Sequence, residues 1–382
     1  MTKVKNCKIN TTYKDANEFN AIDIAKFVAA ILVVSIHVDT FFANGNPLLE
    51  SVNFFIENVI GRLAVPFFFT CSGFFIFRKT NEKNLNVEPI KKHLKKLLKL
   101  YILWSIIYFP INFSYESANG FFDRVLCFFR DLCLSTIFGV GGYNHLWYLA
   151  ASIFAIFILT LMIKKKINLK WIVIIAFVLY LVSVAGNAWY GFVFYMDFFP
   201  SCFSDAKEFH GFIAEKTRSG LFFGLMFMSI GTVFAYKNVN LSRRKSLIGF
   251  FVSFILMIIE TYFVKLNGLA NEHESSLFLL PTSFFLFSLI VNIRIEGKKQ
   301  IFKNLRILSS LIYFSHFWIR YFFQEGIYHT LSYQYFLYTF IPYGVFEKWL
   351  FPIVLIISIC LSLAVIWLSK KKGFRWLKHL YS

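Results

Sequence analysis

The chain has 382 residues, 57% of them hydrophobic and 20% aromatic, and a formal net charge of +19; its mean hydropathy is +0.59. Apolar runs of about twenty residues recur along it, which a soluble domain of this length does not carry, so composition predicts an all-α, polytopic membrane protein. The positive charge sits in short segments between apolar runs, where attraction to anionic lipid accounts for it and no nucleic-acid partner is needed.

Residues 1–19 are polar and basic, without an apolar core or a small-residue cleavage site, and read as a cytoplasmic tail rather than a cleaved signal peptide. Hydropathy then places ten spans, at 20–41, 59–77, 97–115, 145–163, 169–187, 219–236, 246–264, 277–293, 305–323 and 349–369. With ten spans, 30 of the 40 Lys and Arg residues fall on one side, which predicts that both termini are cytoplasmic. The membrane domain is expected over 20–369, and 370–382 reads as a basic cytoplasmic tail with no soluble domain after it. Residues 87–99 read as an amphipathic basic helix on the inner surface, and Phe121–Phe138, broken by four charges, as an outer interfacial or re-entrant helix. The loop 186–219 is long and aromatic enough to cap a cavity. The six cysteines show no metal-ligand spacing, so neither a metal nor a required disulfide is expected.

The first span carries Asp23, Lys26 and His37. Lys26 and His37 are eleven residues apart, which puts them within about 20° of one helix face and about 16 Å apart along the axis. Ionisable groups are costly in lipid, so this stripe should face protein or a water-filled cavity, although Asp23 and Lys26 are near enough to one end to snorkel. In the expected orientation, His37, Arg62, His145 with Trp147, Arg218, Glu260, His316 and Arg320 all fall towards the outer ends of their spans. Each has a bland reading: Trp147 and His145 as a belt anchor, Arg218 and Arg320 snorkelling, Glu260 as an ion-pair partner of Arg62 or Arg218. Both charge signs and three imidazoles at one depth favour a polar cavity. Imidazoles move protons near neutrality, a carboxylate orients them, and arginines hold phosphate or a developing oxyanion. The same set would bind a charged solute in a transporter.

Four stretches, DIAKFVAAILVVSIH, RLAVPFFFTCSGFF, HLWYL and IYFSH, occur in the order found in the acyltransferase-3 family, and the chain resembles that family over nearly its whole length. TRSGLFFGLMFMSIG and IETYF further resemble the membrane half of the membrane-bound serine racemases of vancomycin resistance, which continue into a soluble racemase domain. The resemblance implies transfer of an acyl group, usually acetyl from acetyl-CoA, to a hydroxyl of an envelope glycan or lipid-linked acceptor. In the family an arginine, ten residues and a catalytic histidine mark the first span. His37 matches that histidine, and Lys26 stands at the arginine, keeping the charge without the bidentate fork. Arg78 and Lys79 match a basic pair associated with the donor, and His316 matches the late family histidine.

The expectation is therefore a membrane O-acyltransferase of the cell membrane. Its donor is acetyl-CoA or another acyl-CoA, held by Lys26, Arg78 and Lys79. His37, Glu260 and His316 are the candidate catalytic residues, and Arg62, His145, Trp147, Arg218 and Arg320 face the acceptor. Two rivals are a transporter of a small polar solute such as an amino acid, and a regulatory subunit of a separately encoded soluble enzyme. Membrane lipid is an expected partner, and a homodimer is compatible with any of the three.

Overall fold

The computed structural model describes residues 19–80, 82, 85–115, 120–138, 144–195, 217–324 and 343–382. The amino-terminal tail and most of the loop 186–219 lie outside these residues, and with them Cys7 and Cys202. Among the described residues every regular element is helical. In chain order these are α1 (Asn20–His37), α2 (Pro47–Phe55), α3 (Ala64–Phe77), α4 (Glu88–Tyr115), α5 (Phe121–Phe138), α6 (Trp147–Lys164) and α7 (Leu169–Gly186). There follow α8 (Tyr190–Tyr195), α9 (Leu225–Lys237), α10 (Arg243–Leu266), α11 (Leu279–Val291), α12 (Lys299–Tyr321) and α13 (Tyr343–Leu368).

A helix stands at each of the ten expected places. Seven segments among the described residues are long and apolar enough to cross a membrane: Asn20–His37, Pro47–Phe77, Trp147–Lys164, Leu169–Gly186, Gly220–Lys237, Arg243–Leu266 and Glu347–Leu368. The other three differ for physical reasons. α11 has only 13 residues, and α4 and α12 begin in lysine-rich turns that dilute their apolar halves. In α4 the surface-type stretch and the expected third span are one continuous helix of 28 residues. α5 is a helix over the expected Phe121–Phe138.

The second span starts earlier than hydropathy indicates. Asn46 caps α2 by accepting from the Leu48 and Leu49 N–H groups, and Pro47 follows at the first helical position, a strong start signal. The helix continues through a wide turn at Ile56–Ile60 and a tight one at Gly61–Leu63 into α3. A second wide turn, Gly220–Gly224, leads into α9. Such irregular turns are frequent at functional sites; here the tight one holds Arg62, and the second wide one starts two residues after Arg218.

α3 and α9 meet backbone to backbone. Gly73 lies against the Met228 carbonyl and Gly231 against that of Thr70, where a Cβ would overlap the oxygen; small residues permit this approach between membrane helices. α1 packs along α12, tied by Asp23. Its buried carboxylate accepts from Arg306 Nε at 2.9 Å and Nη2 at 2.7 Å. Asp23 therefore does not snorkel.

Candidate functional site

The stripe on α1 opens onto two cavities. Lys26 lines one of about 430 Å³ and His37 another of about 220 Å³. Tyr313 of α12 lines both.

Around His37 the structure gathers most of the expected residues. Arg62, His145, Trp147, Arg218 and Arg320 line the same cavity. The His37 ring stacks on that of His316 with centroids 5.4 Å apart, and His145 stands edge-on to His316 at 5.1 Å. His316 is fully buried behind the cavity wall. Its Nδ1 lies 3.1 Å from the Ile312 carbonyl, so Nδ1 carries the proton and the unpartnered Nε2 is a free acceptor. Tyr108 secures this turn: its hydroxyl donates to the Phe314 carbonyl at 2.6 Å and accepts from the Trp318 N–H at 3.1 Å. His145 is buried with neither ring nitrogen hydrogen-bonded. Among the described residues no group of three or more His, Cys, Asp or Glu is arranged to hold a metal ion.

The arginines meet one carboxylate that the sequence reading did not single out, Glu274. Its Oε1 is 2.5 Å from Arg218 Nη1 and 3.5 Å from Arg62 Nη1. Arg62 Nη2 also donates to Asn58 Oδ1 at 2.9 Å, whereas its Nε is buried without a partner. Arg218 lies over the Trp147 ring at 5.3 Å. Arg320 donates to Gln324 Oε1 at 2.9 Å and covers Phe317 at 5.4 Å. The described lining thus holds three guanidinium groups and one carboxylate, which meets two of them. The positive field reaches the rim: burial, followed by Arg62 and Lys265, pulls His273 down to about 4.

Glu260 is not in this cavity. Its carboxylate accepts from Trp189 Nε1 at 2.7 Å and from the Leu277 and Phe278 N–H groups at 2.8 and 2.9 Å. It caps the start of α11 and is occupied there, so the expected catalytic placement and the expected pairing with Arg62 or Arg218 are both corrected. The same bonds help pin the loop that carries Glu274. That loop is further held by Tyr180 donating to the Ser276 carbonyl at 2.7 Å and by the Ser183–Ser275 hydroxyl pair at 2.7 Å. Glu274 was hidden because NEHESSLF reads as an ordinary polar connection; two glutamates flanking a histidine between spans were the available signal.

The Lys26 cavity is basic. Lys26, Lys96, Lys303 and Arg306 line it together with His93. Lys26 also lies 4.8 Å from the Phe75 ring centroid. His93 is half-buried with Nε2 unpartnered, and burial, then Lys96, Lys79 and Lys26, lowers it to about 4. Arg78, by contrast, sits at the end of α3 over the rings of Phe19, Phe74 and Phe75, at 4.3 Å from the first. Neither Arg78 nor Lys79 is part of the cavity wall, though Lys79 is near enough for its charge to act on His93. The expected donor trio is thus split, and Lys96, Lys303 and Arg306 stand with Lys26 instead.

A helical bundle with seven segments long and apolar enough to cross a membrane, and with histidines and arginines lining one cavity, is consistent with a multi-pass membrane protein. The acyltransferase-3 family model, described as an acyltransferase domain, matches residues 19–370, and the chain belongs to that family. An amino-acid racemase of Enterococcus faecalis is 30% identical over 293 residues, 76% of this chain and 38% of that protein. A second amino-acid racemase of that organism is 31% identical over 303 residues, 78% and 40% of the two chains. A serine/alanine racemase of Enterococcus gallinarum is 29% identical over 276 residues, 71% and 37%. The chain spans about two-fifths of the length of these curated relatives. No solved structure gives a significant match.

Proposed function

We propose that the protein is an O-acyltransferase of the cell membrane that moves an acyl group, acetyl in the simplest case, from acyl-CoA to a hydroxyl of an envelope glycan or lipid-linked acceptor. The observation that carries this reading is the His37 imidazole at a cavity wall, stacked on His316 and faced by three arginines. Family membership supports acyl transfer in general. The basic Lys26 cavity suits the phosphates of the donor at the inner face.

In this reading His37 takes the proton of the acceptor hydroxyl as its oxygen attacks the thioester carbonyl. Arg62 and Arg218 stabilise the tetrahedral oxyanion. The C–S bond then breaks, the ester remains on the acceptor, and His37 returns the proton to the departing thiolate, giving free CoA. His316 holds the His37 ring in position. Glu274 limits the positive excess without cancelling it, which leaves room for an anionic group on the acceptor.

Liposomes containing the purified protein, radiolabelled acetyl-CoA and a crude envelope extract test this. Label in the extract with equimolar CoA release supports the reading. Intact protein that gives neither overturns it.

Two cavities along one helix that share the lining residue Tyr313 also favour a second reading, a transporter of a small polar solute. The relatives named as amino-acid and serine/alanine racemases make an amino acid the first solute to try. Uptake into vesicles without acyl donor would select this reading.

A further inference from the structure

We propose that Tyr313 is the partition between the Lys26 and His37 cavities and the residue that sets which acyl groups pass from one to the other; the inference rests on the acyl-transfer reading. On α12, Arg306, Tyr313 and Arg320 are spaced by seven residues, two turns, so they share a face and Tyr313 lies about 10 Å along the axis from each. Arg306 lines only the Lys26 cavity, Arg320 only the His37 cavity, and Tyr313 both. The face runs beside the Lys26-to-His37 stripe of α1, the helix on which α12 packs.

The tyrosine is held as a partition would be. It is buried at 6% exposure, and its hydroxyl donates to the His145 carbonyl, in the turn that begins α6. Its ring is wedged among Phe68 at 6.2 Å, Tyr148 at 5.8 Å and His145 at 5.6 Å. Ser72 and Tyr148, joined at 3.1 Å, line the Lys26 side alone. Among the described residues Tyr313 is the side chain common to both walls, so a donor whose phosphates rest at Lys26 brings its thioester to His37 past this ring. A planar side chain with one hydrogen-bond latch can swing about its first two torsions, and the gap it leaves is narrow. Short acyl groups pass, and each added methylene meets the ring and Phe68.

Two measurements test the partition, and the first needs no catalysis. In proteoliposomes, Ile36→Cys, which lines the His37 cavity, is placed in a chain whose six native cysteines are alanine. A membrane-impermeant charged thiol reagent is then added on the Lys26 side only. With Tyr313 present labelling is slow. Tyr313→Phe, which loses only the latch, raises it about fivefold, and Tyr313→Ala by more. Equal labelling in all three places the barrier elsewhere and overturns the proposal, whatever the protein's chemistry. The second measurement compares acetyl-CoA with hexanoyl-CoA as donors. The hexanoyl-to-acetyl ratio rises about tenfold or more in Tyr313→Ala, and an unchanged ratio contradicts the selectivity role. Loss of transfer from every donor in the unaltered protein, with labelling still dependent on Tyr313, would reject the acyl-transfer reading and retain the partition.

Discussion

Asp23 and Arg306 form a two-point hydrogen-bonded ion pair, at 2.9 and 2.7 Å, that fastens the start of α1 to α12 beside the Lys26 cavity. The carboxylate is buried and the guanidinium is partly open to the cavity, so removing either partner strands a charge or a polar group. Asp23→Asn is expected to cost about 2 kcal/mol. Arg306→Gln should cost a similar amount, and the double variant less than the sum. Thermal unfolding in detergent measures this cycle, and additive losses would show that the pair does not couple.

The α3–α9 contact makes a second expectation. At Gly231 a methyl group would meet the Thr70 carbonyl, a backbone atom with no rotamer to yield. Gly231→Ala should therefore destabilise by about 1–3 kcal/mol through overpacking. Gly373, with open space around its Cβ direction, is the control, and Gly373→Ala should leave the melting temperature unchanged.

Much of the architecture was legible because hydropathy marks helices that must satisfy their own backbone in lipid. The Lys26–His37 stripe followed from helical period alone. Other features were not legible. Asn46–Pro47 is a readable start, but it precedes the apolar run and a hydropathy window passes over it. Glu260 sits in the apolar stretch MIIETYF and looked like an intramembrane functional charge. Its partners are two N–H groups at the start of α11 and an indole from the segment before α8, which no one-dimensional pattern reveals. Glu274 looked like loop polarity, and only the docking of its loop on Tyr180 and Ser183 brings it to Arg218. The stacking of Arg78 on rings supplied by two separate segments, outside the Lys26 cavity wall, was likewise not visible in the sequence.

Glu260 should accordingly behave as a structural anchor. Glu260→Ala removes three hydrogen bonds to a charged acceptor and should cost about 3 kcal/mol, with bonds to one group not adding fully. Acyl transfer per folded molecule should remain within about twofold of the unaltered protein. A large loss of turnover with normal melting would return Glu260 to the catalytic set.

Stability should also fall with acidity through two histidines outside the spans. His93 and His273 are each lowered from 6.5 to about 4, by burial first and nearby cations second. Between these values the unfolded chain binds protons at these two residues that the folded chain does not, so their contribution to stability declines as pH drops from about 6.5 to about 4 and is level on either side. His93→Gln should flatten the decline by about one proton in a plot of unfolding free energy against pH. A slope unaffected by both His93→Gln and His273→Gln would contradict the buried, cation-facing placement of these rings.

Whether His37 carries the chemistry is tested by acyl transfer from His37→Ala in liposomes with radiolabelled acetyl-CoA and envelope extract, beside the unaltered protein at matched folding. Label transfer and CoA release are expected from the unaltered protein, with a fall of at least about a hundredfold in the variant. Equal transfer by the two proteins would contradict the placement of the chemistry at His37.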